Sequence, residues 1–163
     1  MSETGKAPLY RRPTWVRRAV VNPIARRVVL RGRGGTGEQN LMRLLRVAGR
    51  VSGRPHDVPV RVAMREGERY VVSLLGETEW ARNLRAAGSA VLVHGDEAVT
   101  VTAQELSPEQ GADFLRWYCT VPDHALSVRA GLRLDRRRPD PEALLRAARD
   151  HPVFRLVPGG APL

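Results

Sequence analysis

The feature that most constrains this chain is a change of hydrophobic period. Between residues 42 and 106 apolar side chains recur at every second position, as where Val58, Val60 and Val62 alternate with Pro59, Arg61 and Ala63. Period two sends successive side chains to opposite faces of a strand. Glu66-Gly67-Glu68 and Gly95-Asp96 supply short turns between such runs. The pattern predicts strands at about 42–48, 58–65 and 69–75, then a hairpin in "SAVLVHGDEAVTVTAQEL", with "PVFRLVP" as a closing sixth strand. Helices interrupt it. In "GETEWARNLRAAG", Trp80, Leu84 and Ala87 fall at helical spacing and Gly88 ends the run. "SPEQGADFLRWY" opens with Ser107 as cap, Pro108 at the first position and a Ser-x-x-Gln capping box, and Asp140-Pro141-Glu142 starts a further helix.

Upstream, Gly32, Gly34 and Gly37 spell G-x-G-x-x-G behind three apolar residues, with Asp57 about 20 positions on. A dinucleotide fingerprint needs a strand, a helix and a parallel strand around those glycines. Here Asn22 and Pro23 give a helix start, so Val28 to Leu30 finish a helix, and hairpins follow. Asp57 falls in a turn one residue before a strand. The glycines therefore read as a link between a basic helical arm, residues 1–40, and a β domain, residues 41–163. Thr14 can cap an earlier helix carrying Trp15, Ala19 and Val20 on one face, while residues 1–13 lack a pattern of fixed structure.

Composition removes several chemistries. Cys119 is alone, which excludes an internal disulfide and a cysteine-clustered zinc site, and the four histidines lack ligand spacing, so no metal is expected. The single lysine, Lys6, sits in the terminal tail, which removes Schiff-base and P-loop chemistry. No signal-peptide or membrane-spanning run is present, and the cytoplasm is the expected compartment. The net charge of +10 lies wholly in the first 50 residues, where eleven arginines and Lys6 face Glu3 and Glu38. Nucleic acid could attract that arm, yet it lacks interleaved aromatics and no nucleic-acid module follows. An anionic membrane surface is the other partner such an arm suits, with Trp15 and Val20 among Arg17, Arg18, Arg26 and Arg27; a helix packed on the barrel with solvated arginines reads equally well.

One turn has chemical logic. In "AGRVSGRPHDVPV" the glycines permit positive backbone angles, amides and Ser52 can donate, and Arg50 and Arg54 add forked cationic donors. These are the parts of a phosphate cradle. The same residues also suit an ordinary hairpin loop with solvated arginines.

"GRVSGRPHDVPV", "ERYVVSLLGETEWARNLRAAG" and "DHPVFRLVP" together resemble the deazaflavin-dependent nitroreductase family, a branch of the flavin/deazaflavin oxidoreductases. The resemblance runs from about Leu41 to Leu106 and returns at 150–157. It implies a split β-barrel of the FMN-binding-like kind, about six antiparallel strands with helices after the barrel, usually homodimeric. It also implies coenzyme F-420 (8-hydroxy-5-deazaflavin), with FMN as the alternative. The family's Gly-Arg-x-Ser/Thr-Gly-x-Pro turn matches Gly49, Arg50, Ser52, Gly53 and Pro55, which would hold the phosphate end. Val51 and His56 flank those positions, and Pro59 would lie beside the ring system. Leu74, Leu75 and Gly76 match a second coenzyme-binding turn, and Trp-x-x-Asn-Leu matches Trp80, Asn83 and Leu84, the asparagine near the coenzyme and the tryptophan largely packing. Trp117 and Tyr118 would line the substrate face, with Tyr118 as proton donor; the same pair also suits a packed core.

Three positions depart from the family: Val51, His56 and Leu75 stand where a basic residue is usual. The resemblance implies hydride transfer to a quinone, nitro compound or activated alkene. The departures suit an alternative, a coenzyme-free barrel that binds or transforms a hydrophobic small molecule.

Overall fold

The computed structural model describes residues 40–159. The predicted N-terminal helices, the arm and the glycine-rich link at 1–39 lie outside the described residues. Six strands form a closed antiparallel barrel: β1 (Asn40–Ala48), β2 (Pro55–Arg65), β3 (Glu68–Val72), β4 (Ser89–His94), β5 (Glu97–Glu105) and β6 (Val153–Pro158). Their order is β1-β2-β3-β6-β5-β4, with β4 pairing back onto β1. This is the expected barrel, mainly β with helices.

Alternation explains the inside. Leu45 and Val47 of β1, Val60 and Val62 of β2, Val71, Leu92, Val101, Phe154 and Leu156 meet in one interior cluster. Tight turns hold the register. Glu66 and Gly67 both adopt positive φ, 52° and 80°, between the paired ends Arg65 and Glu68, the geometry whose twist matches that of the strands it joins.

Helix α1 (Glu79–Ala87) lays Ala81 and Leu84 onto that interior cluster and closes one end of the barrel. A second core lies outside the sheet. Helix α2 (Pro108–Thr120) places Phe114, Leu115, Tyr118 and Cys119 against Ala63 and Tyr70, and helix α3 (Pro141–Asp150) adds Leu144 and Ala147. Both helices start as their sequences predict. Ser107 Oγ accepts from Gln110 N while Gln110 Oε1 accepts from Ser107 N, and Asp140 accepts from Ala143 N. Between them lie a 3₁₀ turn at Pro122–His124 and a π-helical stretch at Ser127–Leu132, neither of which has a signature in the residue pattern.

Three expectations need correction. β2 begins at Pro55, not 58, so Asp57 is a strand residue and not a turn residue. It sits opposite Arg46 of β1, and the two form a bidentate ion pair with side chains 16 % and 5 % exposed; a charge reads as a turn until its partner's register is known. β3 ends at Val72, not 75. There Ser73 turns the chain back: its N–H donates to Pro152 O, its hydroxyl to Gly76 O, and Gly76 N returns a bond to Ser73 O.

Candidate functional site

Because β3 stops at Val72, it covers β2 only from Val62 to Arg65. Among the described residues no strand pairs with β2 on that side from 55 to 61. Proline has no N–H and is tolerated within a ladder where that group would point away from the partner. Pro59 pairs with Leu44 of β1, so the backbone groups of 55, 57, 59 and 61 face the open side. The barrel is thus split along this edge. The turn of residues 49–54 stands at one end, and the 73–76 loop stands where β3 would have continued.

The turn is tightly built. Gly49 N donates to Arg54 O and Gly53 N to Gly49 O, each at 2.8 Å, and Gly53 has φ +67°. A side chain on Gly49 would meet His56 Nε2 and Ser52 Oγ, each at 2.8 Å, so the glycine is what lets the imidazole and the hydroxyl close over the turn. Asn83, 7 % exposed, fastens the turn to α1, since its Oδ1 accepts from Arg50 N at 3.1 Å and from Arg50 Nη1 at 3.0 Å. The asparagine therefore positions the turn from beneath.

Arg50 has a partner that sequence reasoning missed. Its guanidinium donates to Glu79 at 2.6 Å. That bond raises the arginine's pKa and holds the Glu79 carboxyl below the usual carboxylate range. Glu79 lies four residues before Asn83, one helical turn away on the same face, a spacing that could have signalled it. Arg54 makes no ion pair among the described residues. Val51 and Leu75, two of the departures from the family, are the most exposed large apolar residues described, at 92 % and 88 %. His56 is also exposed.

The remaining candidates divide. Pro59 is exposed on the open edge; of the loop after β3, Leu75 is exposed while Leu74 and Gly76 are half-buried, Leu74 against Gly131 and Gly76 near the Asp150 carbonyl. Trp80 packs its ring 6.2 Å from that of Phe154, against the barrel interior. Tyr118 is 2 % exposed, within the outer core rather than on an open substrate face, and stacks on His124 with centroids 3.8 Å apart. Burial pushes its phenol pKa up, and a hydrogen bond with Ser127 pulls the other way. The Ser127 hydroxyl also accepts from Arg61 Nη1 at 3.5 Å. A chain of polar groups thus runs from Tyr118 to Arg61, two residues from Pro59 on the open edge. Trp117 is half-buried beneath the Arg65 guanidinium, 5.8 Å from the ring centroid.

The donors gathered at this turn fit an anionic group, and the exposed strand edge beside it leaves room for the rest of a ligand. Arg50, Arg54, Ser52 and His56 gather donors at one end, and the open edge offers backbone groups beside Pro59. Among the described residues no cluster of His, Cys, Asp and Glu suits a metal ion, and no helix is long and apolar enough to cross a membrane.

The F420H(2)-dependent quinone reductase family model matches residues 15–128. No curated protein matches. A solved F420-H2 dependent reductase shares 24 % identity over 71 % of this chain and 92 % of its own, with a TM-score of 0.43. A protein of unknown function from Agrobacterium tumefaciens shares 17 % identity over 94 % of this chain and 60 % of its own, with a TM-score of 0.54, which bears on the fold alone. A third structure, described as a domain-swapped dimer, shares 22 % identity over 88 % of this chain and 97 % of its own, with a TM-score of 0.44. The family match covers most of the chain, and the quoted motifs of the turn, the loop and α1 lie inside it. The chain belongs to the F420H(2)-dependent quinone reductase family, within the deazaflavin-dependent nitroreductases, and is a deazaflavin-dependent reductase whose cofactor is coenzyme F-420.

Proposed function

We propose that the protein reduces a quinone at the split edge of the barrel, nitro compounds and activated alkenes being other acceptors of the same chemistry. The observation that carries this reading is the open side of β2 with a cationic turn at one end, inside the segment that matches the quinone reductase model. Bound in reduced form, the coenzyme supplies a hydride. The chain's own work is placement and exclusion of water. Arg50, Arg54, Ser52 and His56, with the amide of Val51, hold the phosphate end, while Gly53 shapes the turn through its positive φ and its bond to Gly49 O. Pro59 and the backbone beside it support the ring, and Leu74, Leu75 and Gly76 form the facing wall. Trp80 and Asn83 set the height of the turn from α1. Trp117 and Tyr118 belong to the acceptor side, where the Ser127 hydroxyl is the atom through which the buried Tyr118 phenol reaches the cleft. A tyrosine phenol is protonated at neutral pH in any case, and burial of Tyr118 moves its pKa further up.

The family resemblance further implies a homodimer, which light scattering of the eluted protein measures directly. Trp15 and Val20 with their flanking arginines support contact of the N-terminal arm with anionic lipid; pelleting with phosphatidylglycerol vesicles at low salt tests it, and replacing Arg17, Arg18, Arg26 and Arg27 by Gln should abolish it. The decisive experiment for function is a fluorescence titration with coenzyme F-420 and FMN, followed by anaerobic mixing of the reduced coenzyme with a soluble naphthoquinone. We expect saturation by the deazaflavin at micromolar concentration, weaker FMN binding, and quinone-dependent coenzyme oxidation. Failure of both to bind would overturn the reading and favour a coenzyme-free binder of apolar molecules.

A further inference from the structure

A second cavity, of about 620 Å³, lies behind the 73–76 loop, between the π-helical stretch and α3. Its volume falls within the roughly 300–1,000 Å³ of small-molecule sites. Leu74, Leu75, Leu132 and Leu134 make its wall apolar, and Arg133 and Arg146 are the two cationic residues of its lining. Arg133 has no ion-pair partner among the described residues. Arg146 faces Glu142 at 3.8 Å with both side chains mostly exposed, a contact of little strength. Asp150 is the acid of the lining, and His151 is turned to the Ser73 carbonyl through Nδ1.

Two uncommon backbone conformations converge on this wall. The stretch Ser127–Leu132 is π-helical, and Arg133, which ends it, has φ +55°. A bulky non-glycine residue in the left-handed region is strained, and both π-turns and such strain gather at functional sites. The π-helical stretch also presses Gly131 so close to Leu74 that a side chain there would lie 3.2 Å from Leu74 Cβ. The left-handed Arg133 caps the π-helical stretch, its N–H donating to Val128 O, and this cap leaves the arginine exposed among the residues that line the cavity.

We infer that this cavity is a binding site for a monocarboxylate with an apolar body, its chain against Leu74, Leu132 and Leu134 and its carboxylate between Arg133 and Arg146. Arginine suits this because its planar fork pairs with a carboxylate through two parallel hydrogen bonds. A neutral isoprenoid or alcohol would leave both guanidinium groups unused.

The test uses the full chain without coenzyme, so that its outcome is independent of the reductase reading. Calorimetric titration with decanoate at low ionic strength should show one saturable site per chain. Arg133→Gly and Arg146→Gln should each weaken it about tenfold. Arg133→Gly should melt no lower than the parent protein, because glycine relieves the positive φ; weakened binding with retained stability separates a ligand contact from a structural role. Ala130→Trp, at an exposed position of the lining, should block the site. Absence of saturable binding, equal affinity for decanol, or unchanged affinity in both arginine variants would overturn the assignment.

Discussion

Arg50 is gripped from two sides before any ligand arrives, by Asn83 beneath and by Glu79 beside it. An anion entering the turn must compete with a carboxylate for the same guanidinium. Removing the competitor's charge should therefore help the coenzyme: Glu79→Gln is expected to tighten F-420 binding several-fold, and Arg50→Ala to weaken it about tenfold or more, by fluorescence titration. Equal affinity in Glu79→Gln and the parent protein would show that Arg50 does not reach the phosphate. The arginine was legible in the sequence as part of a glycine-bearing turn. Its engagement was not, because residues 50 and 79 meet only after the barrel has closed and α1 has docked on its end. Tyr118 shows the same limit. Its aromatic character and helix were readable, but the depth of its burial depends on the 3₁₀ turn that carries His124 over it.

Strands and helices were readable where local chemistry decides them. The two-residue turns at Glu66-Gly67 and Gly95-Asp96, the caps at Ser107 and Asp140 and the period of two all state their element within a few residues. The ends of β2 and β3 were not, since both depend on partners distant in sequence. The apolar run Val71 to Leu75 reads as strand throughout, yet Ser73 bonds to Gly76 and Pro152 and ends it. The π-helical stretch has no periodic signature that separates it from an ordinary helix. The hidden register of β1 and β2 matters energetically, because it buries Arg46 against Asp57. Asp57→Ala would strand a guanidinium that is almost wholly enclosed, and about 3–5 kcal/mol of stability should be lost in urea denaturation. Replacing both residues by leucine should restore much of that loss. A small effect of the single change would mean that water reaches Arg46.

The whole molecule carries two cores, one inside the barrel and one between its outer face and the helices. Three groups whose pKa values are raised, chiefly by burial, sit in the outer core: Tyr70, Tyr118 and Cys119. Each favours its neutral form more when folded than when unfolded. Their contribution is therefore complete below the ordinary pKa values of 9.0 for the thiol and 10.0 for the phenols, and it is lost as pH rises beyond them. Thermal melts should be insensitive to these groups up to about pH 9 and fall steeply above it, and Tyr118→Phe with Cys119→Ala should flatten the fall. An unchanged slope in the double variant would place the alkaline lability elsewhere. The open side of β2 bears on a different property of the molecule, its solubility. Exposed strand edges invite other chains to add strands, and barrels escape this only where every edge is paired. Here four residues turn their backbone to the gap, and two of them, Pro55 and Pro59, have no N–H to give. A stray strand would find every second donor missing and could not complete a ladder, whereas a small flat molecule needs only one or two of the groups that remain. The same prolines that keep the cleft accessible to a ligand thus protect the crowded protein from joining sheet to sheet with its neighbours.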